Sequence, residues 1–177
     1  MTHPNTRSKG VLIGLILVIL CQATVLAMIT VNARMPLWTG EEIWLKTQPV
    51  DPRSLFRGNY ARLRYDISDI PAKEINRIRE PKSNEPVYVM LSPAPGGIHV
   101  YKGVSFTRPA SGPFIRGRVI RHGRHSQKSY RVRYGIEAYF APKEKALALE
   151  RKLRSSAVAK IFVSDSGKAA LDSIHEP

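Results

Sequence analysis

The chain has 177 residues, with 28 lysines and arginines against 14 acidic residues, a net charge of +14 and one cysteine. That length suits a single domain plus an anchor, and a lone cysteine excludes a fold stapled by internal disulfides. The charge demands an anionic counterpart. The apolar N-terminal run argues against nucleic acid and for a membrane surface or an acidic protein.

Residues 1–10 form a short tail containing Arg7 and Lys9. From Val11 to Val31 there is no charge, and only Gln22, Thr24 and Thr30 are strongly polar. A helix rising ~1.5 Å per residue crosses a hydrocarbon core of ~30 Å within such a run. The run also exceeds the roughly 7–15 apolar residues of a cleaved signal peptide, although Val31-Asn32-Ala33 would suit processing. An anchor over residues 11–32 is therefore expected, serving as a signal anchor. Arg7 and Lys9 precede it, while Arg34, Glu41 and Glu42 follow. The positive-inside rule then places the N-terminus in the cytoplasm of a bacterium and a domain over 36–177 in the periplasm. Cys21 lies inside the span, so that domain must fold by burying a core.

Glu41 to Val50 reads as a first strand, with Ile43 and Leu45 on one face and Trp44 on the other. Next comes Val50-Asp51-Pro52-Arg53-Ser54-Leu55-Phe56-Arg57-Gly58-Asn59-Tyr60. Asp51-Pro52 opens a turn, Leu55 and Phe56 pin the loop to the core, and Gly58-Asn59 tolerates positive φ just before a strand. In that strand Ala61, Leu63, Tyr65 and Ile67 alternate with Arg62, Arg64 and Asp66, the pattern of a half-buried strand. Tyr60 and Tyr65 have opposite parity and face opposite sides.

This stretch resembles the signature of the GDYXXLXY family, small membrane-anchored bacterial proteins of unknown function, with Asn59 where the family has Asp. Asparagine keeps the turn-capping acceptor of aspartate but does not titrate. The substitution thus favours a structural role for that position, or loss of an activity in this member. The resemblance implies a companion of multi-pass membrane proteins.

A short helix is expected around Ala72 to Ile78 and a buried strand over Val87 to Leu91. Pro93-Ala94-Pro95-Gly96-Gly97 turns the chain into Ile98 to Phe106. Phe114 to Arg121 and Ser129 to Ile136 form a second hairpin around a polar loop. Pairing symmetric about that loop sets Arg116 opposite Arg133 and Arg118 opposite Arg131, with Ile115, Val119 and Val132 inward. Four arginines on one face form a candidate anion or partner site, since planar guanidinium groups favour bidentate contacts. The segment Tyr134-Gly135-Ile136-Glu137-Ala138-Tyr139-Phe140 resembles the family's second recurring segment. Glu137 is expected to pair with an arginine, and Gly135 to mark a bulge or close backbone contact. A helix from Pro142 to about Ser155, a strand over Ala157 to Val163 and a last strand over Ala169 to Ile174 complete the chain.

Signals for chemistry are sparse. His122 and His125 share a loop without cysteine or clustered carboxylates, so neither metal nor cofactor is expected. The anchor, the Arg57-Gly58-Asn59 turn and Arg118-Val119-Ile120 are faintly similar to the signal-peptidase fold, yet Gly117 stands where that mechanism would need lysine. The sequence reads as mainly β: an antiparallel sandwich or partly open barrel of about eight strands, with one helix in its C-terminal half. The function expected is a non-enzymatic accessory or binding domain of the cell envelope, partnering an integral membrane protein. The alternatives are an envelope hydrolase using Tyr60, Arg57 and Glu137, or binding of anionic lipid or polymer through the arginines.

Overall fold

The uncharged N-terminal run folds into helix α1 (Thr6–Thr39). A computed structural model describes it together with the rest of residues 6–48, 60–120, 128–140 and 157–175. Apolar side chains cover all sides of α1, and Gly10–Thr39 is long and apolar enough to cross a membrane. Two threonines within the apolar stretch turn their polarity inward: the hydroxyls of Thr24 and Thr30 donate to the carbonyls of Leu20 and Leu26, each at 2.8 Å. The helix stops at Gly40, whose N–H donates to the Pro36 carbonyl at 2.9 Å. Any side chain there would drive into the backbone of Val163. The chain divides into two compact units, Met1–Met35 and Pro36–Pro177.

The second unit is mainly β, as its alternating sequence implies. Its strands are β1 (Glu41–Lys46), β2 (Tyr60–Arg62), β3 (Asp69–Pro71), β4 (Pro86–Pro93) and β5 (Ile98–Ser105). They are followed by β6 (Phe114–Ile120), β7 (Ser129–Arg133), β8 (Ala138–Phe140), β9 (Val158–Val163) and β10 (Ala169–His175). Eight of them form one curled sheet, a half-barrel, in the order β10-β9-β1-β5-β4-β6-β7-β3. Strands β2 and β8 pair separately. The sheet is mixed, because β1 pairs with β5 in parallel while the other pairings are antiparallel. Helix α2 (Ala72–Asn76) is the short helix expected after Pro71. The expected helix from Pro142 and the His122–His125 loop lie outside the described residues.

Alternation decides the core. Ile43 and Leu45 of β1 are buried, as are Val87, Val89 and Leu91 of β4, Ile115 and Val119 of β6, and Ile161 and Val163 of β9. Among the described residues the two buried polar side chains, Thr47 and Ser68, are satisfied, whereas His99 Nδ1 is buried without a partner. The Thr47 hydroxyl donates to the Ala157 carbonyl at 2.9 Å and accepts from the Ala157 N–H at 3.1 Å. β1 ends at Lys46 and Thr47 follows as an isolated bridge to Tyr65, while Pro49 and Val50 of the expected strand lie outside the described residues.

At the surface, Glu85 is gripped by Arg79, whose Nη1 and Nη2 reach its two oxygens at 3.0 and 2.6 Å, and by the Lys82 N–H at 2.8 Å. The bidentate Arg79 pair, then the amide, lower the Glu85 pKa to about 2 from an ordinary 4.5. A carboxylate depressed on folding adds stability above its unfolded pKa and loses that contribution as pH falls toward its folded one. In an NMR titration the Glu85 carboxyl is expected to titrate near 2. Arg79→Gln should return it toward ordinary glutamate values; an unchanged midpoint would discard the pairing as its cause.

Candidate functional site

The two motif segments meet at one end of the sheet and hold each other by backbone and hydroxyl. Among the described residues of the first segment, Tyr60–Arg62 forms a ladder, pairing Tyr60 with Phe140 and Arg62 with Ala138. Leu63 then donates its N–H to the Glu137 carbonyl at 2.8 Å. The chain continues into a 3-10 turn, Asp66–Ser68, whose Ser68 hydroxyl accepts from the Tyr65 N–H at 3.1 Å. Parity is kept throughout: Leu63, Tyr65 and Ile67 are buried, while Arg62 and Asp66 are exposed and Arg64 is half-buried.

Two tyrosines form a reciprocal latch. The Tyr65 hydroxyl donates to the Ile136 carbonyl at 2.7 Å, and the Tyr134 hydroxyl donates to the Ile67 carbonyl at 2.5 Å. Each motif thus satisfies a backbone acceptor of the other. Burial, with the Glu137 charge adding to it, pushes both phenols well above the ordinary tyrosine pKa, so they remain donors. Tyr139 packs half-buried against the same core.

Glu137 does something other than the arginine pairing expected of it. One carboxylate oxygen accepts from the Tyr134 N–H and the other from the Gly135 N–H at 2.9 Å, and it has no ion pair among the described residues. It caps the turn in which Gly135 sits at φ +88°, a conformation that favours glycine. Glu137→Ala frees both amides and is expected to cost about 1–2 kcal/mol, measured by urea unfolding of the full chain in micelles. Glu137→Gln, which keeps one acceptor, should cost less; equal costs would show that one oxygen alone does not sustain the cap.

Beside this latch lies a cleft of about 540 Å³ lined by Arg62, Arg64, Arg131, Arg133, Ser68 and Glu137 over the apolar Leu63 and Val132. Pairing of β3 with β7 brings Asp69 opposite Arg131. Asp69 accepts from Arg131 Nε at 3.5 Å and from Arg64 Nε at 3.0 Å, so one carboxylate fixes two guanidinium groups. Arg62 and Arg133 have no ion pair among the described residues. Among the described residues four guanidinium groups here face two carboxylates, an arrangement suited to holding a carboxylate or phosphate.

The observed register of β6 with β7 differs from the symmetric pairing expected of the hairpin. Arg118 pairs with Arg133, and Ile120 with Arg131, two residues away from the symmetric register. Arg116 instead lies opposite Tyr88 of β4. Arg118 Nη1 donates to the Asn84 carbonyl at 3.0 Å. Neither lines the cleft; Arg62 and Arg64 take their places. The outward parity of those two was visible in the sequence, but nothing there linked them to β7.

Gly117 is filled around rather than open. A β-carbon there would collide with Val132 and with the Tyr134 ring. Asp51, Pro52, Arg53, Arg57, Gly58 and Asn59 lie outside the described residues, as do the side chains of Tyr60 and Phe140. Among the described residues, no group of three histidine, cysteine or acidic side chains could hold a metal.

Neither curated proteins nor solved structures include a match to this chain. The family model described as GDYXXLXY protein matches residues 22–174. That match runs from within α1 to the last strand and takes in both segments of the tyrosine latch, and the chain belongs to the GDYXXLXY family, one of unknown function.

Proposed function

We propose that the protein is an accessory domain of the bacterial cell envelope that binds a partner rather than transforming a substrate. In this reading α1 spans the inner membrane with its N-terminus in the cytoplasm, and the β-domain stands in the periplasm. The charge asymmetry of Arg7 and Lys9 before the span supports that orientation. One observation carries the binding reading: Leu63, Tyr65, Tyr134 and Glu137 are consumed in holding the two motif segments together, while Arg62 and Arg133 beside them are left to solvent. The partner is an integral membrane protein, because a shared membrane plane raises the effective concentration of two anchored molecules.

Photo-crosslinking in membranes tests this, with the probe placed at Arg133 and, in a second preparation, at Arg116. A discrete protein adduct from position 133, absent from 116, is expected. Adducts of equal yield and identity at both positions, or none at 133 from a folded protein, would overturn the partner reading.

A further inference from the structure

Beyond a protein partner, we infer that the cleft between the β2–β8 pair and β7 is a binding site for a dianionic phosphoryl group. The charge of the cleft sets the ligand class. Arg62, Arg64, Arg131 and Arg133 line or flank it, opposed by Glu137 and by Asp69 just behind. Both carboxylates are already engaged, Glu137 by two backbone amides and Asp69 by two arginines. Two positive charges are left over, carried by Arg62 and Arg133, which have no acidic partner among the described residues.

A single carboxylate would neutralise one of them. A phosphomonoester carries a charge of about −1.5 to −2 at neutral pH and three acceptor oxygens, so it can meet guanidinium groups arriving from different strands. The site is also partly organised before anything binds. Asp69 holds Arg131 through Nε alone among the described contacts, which leaves the two terminal amino groups of that guanidinium available. Ordering costs are lower for side chains already fixed in this way. A cleft of about 540 Å³ exceeds what a bare phosphate fills, and its apolar floor of Leu63 and Val132 suits an attached organic group. Phosphomonoesters of that kind occur both as lipid headgroups and as soluble metabolites, and the chemistry of the cleft is common to both.

Calorimetric titration of the full chain in neutral detergent separates the outcomes, using glycerol 3-phosphate and short-chain phosphatidic acid as probes and malonate as the dicarboxylate control. Saturable binding of at least one phosphate probe is expected, tighter than that of malonate. The variant Arg62→Ser with Arg133→Ser should weaken it at least about tenfold. A charge-matched control, Lys102→Ser with Arg116→Ser, removes exposed cations outside the cleft and should change it by less than about twofold. Phosphatidic acid binding at least about tenfold tighter than glycerol 3-phosphate supports the site with a lipid headgroup as occupant; near-equal affinities support it with a soluble phosphomonoester. No saturation, equal loss in both double variants, or tighter binding of malonate would overturn the proposal. None of these depends on whether a protein adduct forms at Arg133.

Discussion

Tyr65→Ala is expected to destabilise the β-domain by about 3–5 kcal/mol, the range for deleting a large buried ring. Tyr65 is fully buried, and its truncation removes both the ring and the hydroxyl bond to Ile136. Tyr65→Phe separates the two contributions. It keeps the ring but leaves the Ile136 carbonyl without its donor in a buried setting, at about 1–3 kcal/mol. Tyr134→Phe does the same to the Ile67 carbonyl. Because each hydroxyl ties down the segment that carries the other, the double phenylalanine variant should cost less than the sum of the singles. Urea unfolding followed by near-ultraviolet circular dichroism gives all four values. Strict additivity would reduce the latch to two independent hydrogen bonds.

The same residues set the alkaline limit. Tyr65, Tyr134 and Tyr101 all have pKa values raised on folding, in each case chiefly by burial. The Tyr101 hydroxyl additionally donates to Glu74 at 2.6 Å. A phenol whose pKa rises on folding favours the native state, with that contribution fully present below the unfolded value of 10.0 and lost as pH climbs beyond it. Spectrophotometric titration should show these tyrosines ionising only as the domain unfolds. Ionisation of all seven tyrosines in one normal step, with tertiary structure intact, would contradict the burial.

Gly117→Ala is expected to cost about 1–3 kcal/mol, since the added methyl must displace a packed core side chain. An ideal β-carbon at this position sits 2.9 Å from the Tyr134 ring and 3.0 Å from the Arg133 carbonyl, besides overlapping Val132. Gly117→Lys should abolish folding, because the stem has no path out and an ammonium would enter the core. Trimming the obstacle provides the check: Val132→Ala should recover part of the loss in the Gly117→Ala background. A Gly117→Lys chain with native circular dichroism would show that β6 and β7 can separate there without cost.

Much of the architecture was legible because strand alternation is a local property. Ile43 with Leu45, and Leu63 with Tyr65 and Ile67, face the core as their spacing requires. The β6–β7 register was not legible. Alternation fixes which face a residue takes but is indifferent to a slip of two, which keeps every side chain on its own face. A two-residue slip is what separates the symmetric pairing from the observed Arg118–Arg133 pair. The cleft was hidden for a related reason. Its arginines come from β7 and from the strand leading out of the first motif, joined through Asp69 on β3, and no short-range pattern records that meeting. The turn cap made by Glu137 was not legible either, because charge invites an ionic reading, whereas a turn with a positive-φ glycine at its centre leaves amide donors that a carboxylate two or three residues on can reach.

The position of β1 has a bearing on how the protein is made. This strand is the first to follow α1, yet it lies inside the sheet, flanked by β5 on one side and β9 on the other. Its end is fastened by Thr47 to Ala157, 110 residues further along the chain. As the polypeptide emerges, β1 therefore waits with an open edge through the synthesis of every strand up to β9. Closure over so long a separation is slow, and an unpaired strand edge is open to wrong partners in the meantime. A product truncated before Val158 would keep that edge of β1 open permanently.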